Sequence, residues 1–264
     1  MEIKTAVVTG GTSGIGLATA KLLASQGVKV YCVSRREFSE EGLLHVRADV
    51  TDYGQVKAAI DGIAAEAGKI DLVVNCAGSG ISGAIEFTEP EDAKRQIDVN
   101  FFGTVNVNKA VIPHMREHGG GRIVNISSVG APAALPFQAF YSASKAAINT
   151  YTCALANELR PFGISVCAIM PGDIRTGFTA ARKKNAAGDD VYGGRIERSV
   201  ARMEHDEQNG MAPEKAAQTI CRVCRKNRVK PLYAIGFSYK AVCLLLKLLP
   251  CSFGNKVIGS MYAK

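Results

Sequence analysis

Tyr141 and Lys145 stand four residues apart at the head of a run of helix formers, Ala143 to Leu159, so both side chains project from one helix face. A free tyrosine has a pKa of about 10 and exchanges protons poorly near neutrality, but an ammonium a few ångströms away favours its phenolate. The pair makes Tyr141 a candidate general acid or base. Ser128, on the loop before that helix, could hydrogen-bond a substrate oxygen from the other side. Tyr-x-x-x-Lys alone is common, and a helix start with a surface Tyr and Lys explains it equally well. The rest of the chain has to decide.

The positioning elements begin with Ile3 to Thr9, a β-branched apolar run. It leads into Gly10-Gly11-Thr12-Ser13-Gly14-Ile15-Gly16 and then a helical pattern through Leu17, Ala20, Leu23 and Ala24. Strand, glycine turn and helix in that order suit a pyrophosphate, which approaches bare amides at the helix N-terminus. A second strand, Val28 to Val33, ends in Ser34-Arg35-Arg36. An acidic residue there would bind ribose hydroxyls, whereas arginine accommodates a 2′-phosphate, so the chain is expected to prefer NADP(H) to NAD(H); Glu37 is the counter-signal. After a third strand, Leu43 to Val46, comes Ala48-Asp49-Val50-Thr51-Asp52, which caps a helix over Gln55 to Ala67. Asp49 either faces an adenine ring or belongs to that cap.

Ile70 to Val74 is nearly uniformly apolar, as a strand covered on both faces should be. Asn75-Cys76-Ala77-Gly78 follows, with small residues that let backbone approach a ligand. A long helix is expected over Pro90 to Met115 with Asn100 in its middle, where a polar, mediocre helix former is either exposed or has a task. Gly121 to Ser128 reads as a fifth strand that delivers Ser128 to the edge carrying the glycine turn. Gly163 to Met170 is another buried strand, closed by Pro171-Gly172-Asp173-Ile174-Arg175-Thr176. The charged segment from 177 to 211 reads as a flexible lid. Pro213 to Arg225 reads as a helix and Leu232 to Ile235 as a last strand. No repeat or linker divides the chain, so residues 1–236 are taken as one dinucleotide-binding and catalytic domain, with 237–264 as its tail.

With 264 residues, 47% hydrophobic and 21% charged, the composition is that of a soluble globular protein. Met-Glu-Ile-Lys-Thr leads straight into a strand without a signal-peptide pattern, which places the protein in the cytoplasm. Of eight cysteines, Cys32, Cys76, Cys153 and Cys167 fall in apolar runs, where a thiol packs as a small hydrophobe; no disulfide framework is expected. Cys221 and Cys224 lack a second pair at zinc-like spacing, so no metal is expected. Lys215 to Lys264 contains ten Lys or Arg and no Asp or Glu, against a total of +8, which leaves residues 1–214 at −2. Basic character confined to the tail argues against nucleic-acid binding by the whole domain.

Thr9-Gly10-x-x-x-Gly14-x-Gly16, Asn75-Cys76-Ala77-Gly78, Asn100, Ser128, Tyr141-x-x-x-Lys145 and Pro171-Gly172-x-Ile174-x-Thr176, in that order and spacing, resemble the short-chain dehydrogenase/reductase family over about residues 3–236. The resemblance implies a doubly wound, Rossmann-like α/β fold: a parallel seven-stranded sheet with helices on both faces. By position, Tyr141 resembles the catalytic acid/base and Lys145 the residue that lowers its pKa while holding the nicotinamide ribose. Ser128 resembles the group that orients the substrate oxygen, and Asn100 the member that holds a relay water. The implied dinucleotide site takes in Gly10, Thr12, Ser13, Gly14, Ile15, Gly16, Ser34, Arg35, Arg36, Asp49, Val50, Asn75, Ala77, Gly78, Pro171, Gly172, Ile174 and Thr176, besides Tyr141 and Lys145. Cys76 departs from the family, which more often has a second asparagine there. An assembly of two or four copies is also implied.

The chemistry implied is reversible hydride transfer between nicotinamide and a carbon bearing oxygen. Residues expected to face the substrate, Ile81, Val129, Ala131, Leu135, Phe137, Phe178 and Tyr192, are mostly apolar and favour a small hydrophobic ketone or alcohol. The tail over Phe237 to Pro250 reads as an apolar helix of about three turns carrying Lys240 and Lys247, too short to span a bilayer. It packs over the cleft or a second subunit, or lies on anionic lipid. Such a tail resembles the branch of 17β-hydroxysteroid, retinol and acyl-dihydroxyacetone-phosphate oxidoreductases. Two other readings stand beside this one: a β-ketoacyl thioester reductase, whose chain usually stops near the last strand, and a non-catalytic NADP(H) sensor, which has no need of all four catalytic residues.

Overall fold

The computed structural model describes residues 2–263. Its elements in chain order are β1 (Thr5–Thr9), α1 (Gly14–Ala24), β2 (Lys29–Ser34), β3 (Leu44–Arg47), α2 (Tyr53–Ala67), β4 (Leu72–Asn75), β5 (Ile81–Ser82), α3 (Pro90–Ile97), α4 (Gly103–Glu117), β6 (Gly121–Ile126) and α5 (Ala139–Glu158). There follow β7 (Ile164–Met170), α6 (Phe178–Ala181), β8 (Lys183–Lys184), α7 (Arg195–Gln208), α8 (Pro213–Cys224), β9 (Leu232–Ala234), α9 (Phe237–Leu248) and α10 (Cys251–Tyr262).

Seven strands form one parallel sheet in the order β3-β2-β1-β4-β6-β7-β9. Alternation along each strand builds two layers, because successive side chains point to opposite faces. Val8, Cys32, Val74, Val124 and Cys167 pack under α1 and α8, with Cys221 and Cys224 in that seam. Val7, Tyr31, Val73, Ile123 and Val166 pack under α2, α4 and α5. The sequence order reverses between β1 and β4, and such a reversal leaves a crevice at the carboxyl ends of the strands. The Rossmann-like doubly wound fold expected from the sequence is the one observed, and its strand ends shift by only one or two residues.

One feature holds this edge and another the opposite one. Register sets Thr9 beside Asn75 and Asn75 beside Asn125. The Asn75 amide donates to Asn108 Oδ1 at 2.7 Å and to Asn125 Oδ1 at 2.9 Å, and Asn125 donates to Thr152 Oγ1 at 2.9 Å, which ties β4 and β6 to α4 and α5. At the other end of β6, Arg122 is 1% exposed. Its Nη1 donates to the carbonyls of Val223, Cys224 and Lys226 at 3.2, 2.7 and 2.6 Å, so a buried cation caps the C-terminus of α8.

One expectation needs correction and one needs extension. The helix expected over Pro90 to Met115 is not continuous: a π turn over residues 98–102 separates α3 from α4. The extra residue lets the Asn100 side chain reach backbone outside the helix, and Gly103 admits Val50, whose Cγ2 would stand 2.7 Å from a Cβ there. The helix expected from Phe237 is α9, and a second helix, α10, which the sequence reading did not anticipate, follows it. Leu249 is extended and Pro250 precedes α10, since proline cannot continue α9. Among the described residues no helix is long and apolar enough to cross a membrane.

Residues 177–211 carry α6, β8 and α7. β8 pairs in parallel with β5, and the segment ends where Met211 N–H donates to Asp173 O at 2.9 Å.

Candidate active site

The turn after β1 is built for close approach. Gly10 has φ 62°, and a Cβ there would lie 2.9 Å from Ala77 backbone atoms; one on Gly16 would lie 2.3 Å from the Gly10 carbonyl. Ser13 makes no side-chain cap, the first turn of α1 holds no acid, and the first helical bond runs from Leu17 N–H to Ser13 O. The amides of Gly14, Ile15 and Gly16 therefore point out of the helix end without helical acceptors, as a pyrophosphate requires. Thr176, from the loop after β7, closes on this turn: its side chain would stand 3.4 Å from a Cβ on Gly14. Thr12 lies within the same turn, and the residues present fit a dinucleotide.

At the end of β2, the Ser34 hydroxyl donates to Arg36 O at 2.9 Å and stands 3.0 Å from His45 Nε2. Arg35 Nη1 lies 3.7 Å from Asp49 Oδ2, and both arginines are exposed. Asp49 also accepts from Thr51 N–H at 2.9 Å, while Asp52 accepts from Gln55 N–H at 3.0 Å and caps α2. Val50 buries its side chain against Gly103, and its carbonyl accepts from Asn106. These residues gather at the sheet edge beside Arg35, apart from the catalytic set.

Ser128, Tyr141, Lys145 and Asn100 do converge, at the carboxyl ends of β4 and β6. Ser128 lies two residues beyond β6, and its Oγ accepts from Gly130 N–H at 3.0 Å. A Cβ on Gly78 would lie 3.3 Å from Asn100 Oδ1 and 3.8 Å from Lys145 Nζ, so Gly78 is where the two meet. Asn100 is fully buried; its Oδ1 accepts from Ser79 N–H at 2.8 Å, and its Nδ2 donates to Ser79 O and Ser144 Oγ at 3.1 and 3.0 Å. Ser144 in turn donates to the Tyr141 carbonyl at 2.7 Å, so the π turn is tied to the start of α5.

The electrostatics differ from the expected pairing. Lys145 Nζ donates to Ile126 O at 2.8 Å and lies 5.8 Å from the Tyr141 ring centroid. Burial lowers the Lys145 ammonium to about 8. Burial raises the Tyr141 phenol above its ordinary value, against the opposing hydrogen bond with Ser128. The phenol is thus held protonated at neutral pH.

Beside Tyr141 lies Phe178, ring centroids 5.8 Å apart. Behind it the buried Arg182, 5.7 Å over the Phe178 ring, pairs with Glu207, which also accepts from Thr179 Oγ1 at 2.6 Å. Phe137 and Tyr192 stand in a separate cluster with Ala84, Ile196 and Val200, rings 5.7 Å apart, and Ile81 is taken up in the β5–β8 pair. Leu135 approaches Gly130. On the far side, Pro171 O accepts from Val129 N–H at 3.0 Å, Ile174 bridges to Met211, and Tyr239 of α9 lies directly over Gly172 with its hydroxyl donating to Asp173.

Reasoning from sequence missed Ser79 and Ser144, which hold Asn100; Asn108 and Asn125, which hold Asn75; and the Arg182–Glu207 pair behind Phe178. The asparagines in β6 and α4 were visible as polar residues inside apolar runs.

Residues 4–187 match the family model described as short chain dehydrogenase. The chain belongs to the short-chain dehydrogenase/reductase family. As a family member it is an oxidoreductase acting on CH–OH and C=O groups with a nicotinamide cofactor. It is 40% identical over 247 residues to 3-ketodihydrosphingosine reductase of Bacteroides thetaiotaomicron, covering 90% of this chain and 92% of that one. A short-chain dehydrogenase of Streptomyces avermitilis matches with a TM-score of 0.82 at 29% identity, over 92% of each chain. The 3-ketoacyl-(acyl-carrier-protein) reductase of Brucella melitensis, solved with NADH, matches with a TM-score of 0.74 at 27% identity, over 88% of this chain and 96% of that one.

Proposed function

We propose that this short-chain dehydrogenase/reductase is an NADP(H)-dependent reductase of a lipid-like ketone, interconverting it with the secondary alcohol. The observation that carries the proposal is the convergence of Ser128, Tyr141, Lys145 and Asn100 on the sheet edge that also bears the capless glycine turn. The bound dinucleotide supplies the hydride to the carbonyl carbon. Tyr141, protonated because it is buried, donates its proton to the carbonyl oxygen as charge develops there. Ser128 donates a hydrogen bond to the same oxygen and stabilises that charge. Lys145, held by the Ile126 carbonyl, offers its remaining protons to the nicotinamide ribose. Asn100 has its carboxamide engaged by Ser79 and Ser144, so it serves the proton relay by fixing the start of α5 rather than by holding water with its side chain.

Arg35 and Arg36 support the 2′-phosphate, being exposed at the end of β2 where that group would lie. The apolar wall at Phe178 and the likeness to a ketodihydrosphingosine reductase support a lipid-like substrate over a sugar or a charged acid. In this reading residues 1–236 form one catalytic domain with 177–211 as its lid. The protein works in the cytoplasm as a homodimer or homotetramer, and its tail touches anionic lipid. Purified protein is to be assayed with NADPH and NADH against a long-chain ketone, a ketosteroid and an acetoacetyl thioester. Turnover of the thioester alone would replace the proposal with ketoacyl reduction; tight NADPH binding without turnover of any of the three would replace it with a sensor.

A further inference from the structure

Eight of the fourteen large apolar side chains that stand exposed among the described residues belong to α9 and α10. α9 buries no residue fully. It turns Tyr239, Cys243 and Leu246 inward and Phe237, Leu244, Leu245 and Leu248 outward, the last four within one arc of about 100° at the helical repeat, with Phe237 90% exposed. α10 repeats the plan: Gly254 and Ile258 face inward, while Phe253, Val257 and Met261 recur every four residues on the outer side. Gly254 lets the helices meet, since a Cβ there would stand 3.0 Å from Leu246 Cδ2.

The inward face of α9 packs on the loop after β7, which borders the catalytic set. Tyr239 fixes α9 over Gly172 and Asp173, in the loop that carries Ile174 and Thr176 to the glycine turn. Tyr262 fixes α10 to Asp206 of α7 at 3.4 Å. Lys240, Lys247 and Lys256 flank the apolar stripes, and no Asp or Glu follows Glu214 anywhere in the chain.

We propose that the outer faces of α9 and α10 form a platform that seats the protein on an anionic bilayer surface, with the mouth of the active site against it, so that the ketone enters from the bilayer. The delivery step rests on the reading of the protein as a lipid-ketone reductase; the docking step does not. Each helix has 12 residues, so each is about 18 Å long, shorter than the roughly 30 Å hydrocarbon core, and suits a position in the interface plane. The charge chooses the occupant. A second copy meeting this face across a two-fold axis would set lysines against lysines with no carboxylate on the tail to pair them, whereas anionic headgroups answer all three.

The test is co-sedimentation of the full chain with phosphatidylcholine vesicles, and with vesicles of phosphatidylcholine and phosphatidylserine at roughly 7:3, for the unaltered protein and for the triple variant Leu244→Ser, Leu248→Ser, Phe253→Ser. The unaltered protein is expected to partition to the anionic vesicles at least about tenfold better than the variant, and only weakly to the neutral ones. The variant should turn over a short water-soluble ketone like the unaltered protein, yet lose about tenfold on a long-chain ketone presented in anionic vesicles. Equal sedimentation of the two proteins, or a dimer in light scattering that the substitutions abolish without any vesicle binding, overturns the proposal. Vesicle binding by a protein that reduces neither ketone would leave docking standing and remove the reductase reading.

Discussion

Lys145 sits one helical turn beyond Tyr141, yet its ammonium is aimed at the carbonyl of Ile126, 2.8 Å away, while the phenol ring centre lies 5.8 Å off. The ammonium's hydrogen bond thus goes to backbone rather than to the phenol. Burial lowers the ammonium to about 8, and burial raises the phenol. In the proposed reduction both shifts are useful, because the acid must arrive protonated and the ammonium is the group assigned to the ribose.

A pH profile should expose them. The Lys145 ammonium is lost as pH rises through about 8 in the free enzyme, while Tyr141 keeps its proton beyond that. Dinucleotide affinity and kcat/KM for reduction should thus fall above about pH 8. In Lys145→Arg, which stays charged, that limb should vanish. A limb at the same pH in the arginine variant would assign it elsewhere.

Replacing Tyr141 by Phe removes the proton donor and nothing that holds the dinucleotide turn. Turnover should drop by at least about 100-fold. Dinucleotide binding, followed by fluorescence titration, should stay nearly intact. Unchanged turnover would dismiss Tyr141 as the acid.

On the NADP(H) proposal, Arg35 and Arg36 are the residues that select the dinucleotide. Changing both to Ala should lower the ratio of kcat/KM with NADPH to that with NADH by about tenfold or more, the loss of charge-assisted contacts to a phosphate. A ratio near one in the unaltered enzyme would show that the arginines do not select.

Arg122 touches no part of the reacting set, but it holds three carbonyls at the end of α8. Arg122→Met keeps much of the volume and leaves those carbonyls bare. Stability by urea unfolding should fall by about 3 kcal/mol, and kcat of the folded fraction should change little. No loss of stability would mean that water replaces the cap.

Much of this was legible because burial writes itself into sequence. Strands such as Leu72–Asn75, covered on both sides, read as continuous apolar runs, and Gly10 and Gly16 announce a backbone with no room for a Cβ. Tyr141 and Lys145 were found from spacing, but the direction in which Lys145 points depends on Ile126, 19 residues away in the chain. The same limit hid Arg122, a charge in a strand whose partners lie about a hundred residues on, and the Arg182–Glu207 pair across the segment 177–211. The break in the helix at 98–102 escaped because nothing local demands it. Its cause is the Ser79 backbone, which Asn100 must reach. Pro250, by contrast, was a visible stop for α9, but nothing was read into the residues beyond it, which form α10.

The wide turn between α3 and α4 also makes the catalytic centre sensitive to chain length in a way that composition does not reveal. Deleting one residue of 98–102 other than Asn100 would let the two helices fuse into a straight rod, a gain in regularity. The bulge absorbs the extra residue, so its loss would leave the flanking helices nearly in register but turn the Asn100 side chain away from Ser79 and Ser144. A shortening that improves the helix would thereby unhitch α5, so regularity and activity pull in opposite directions at this one bend.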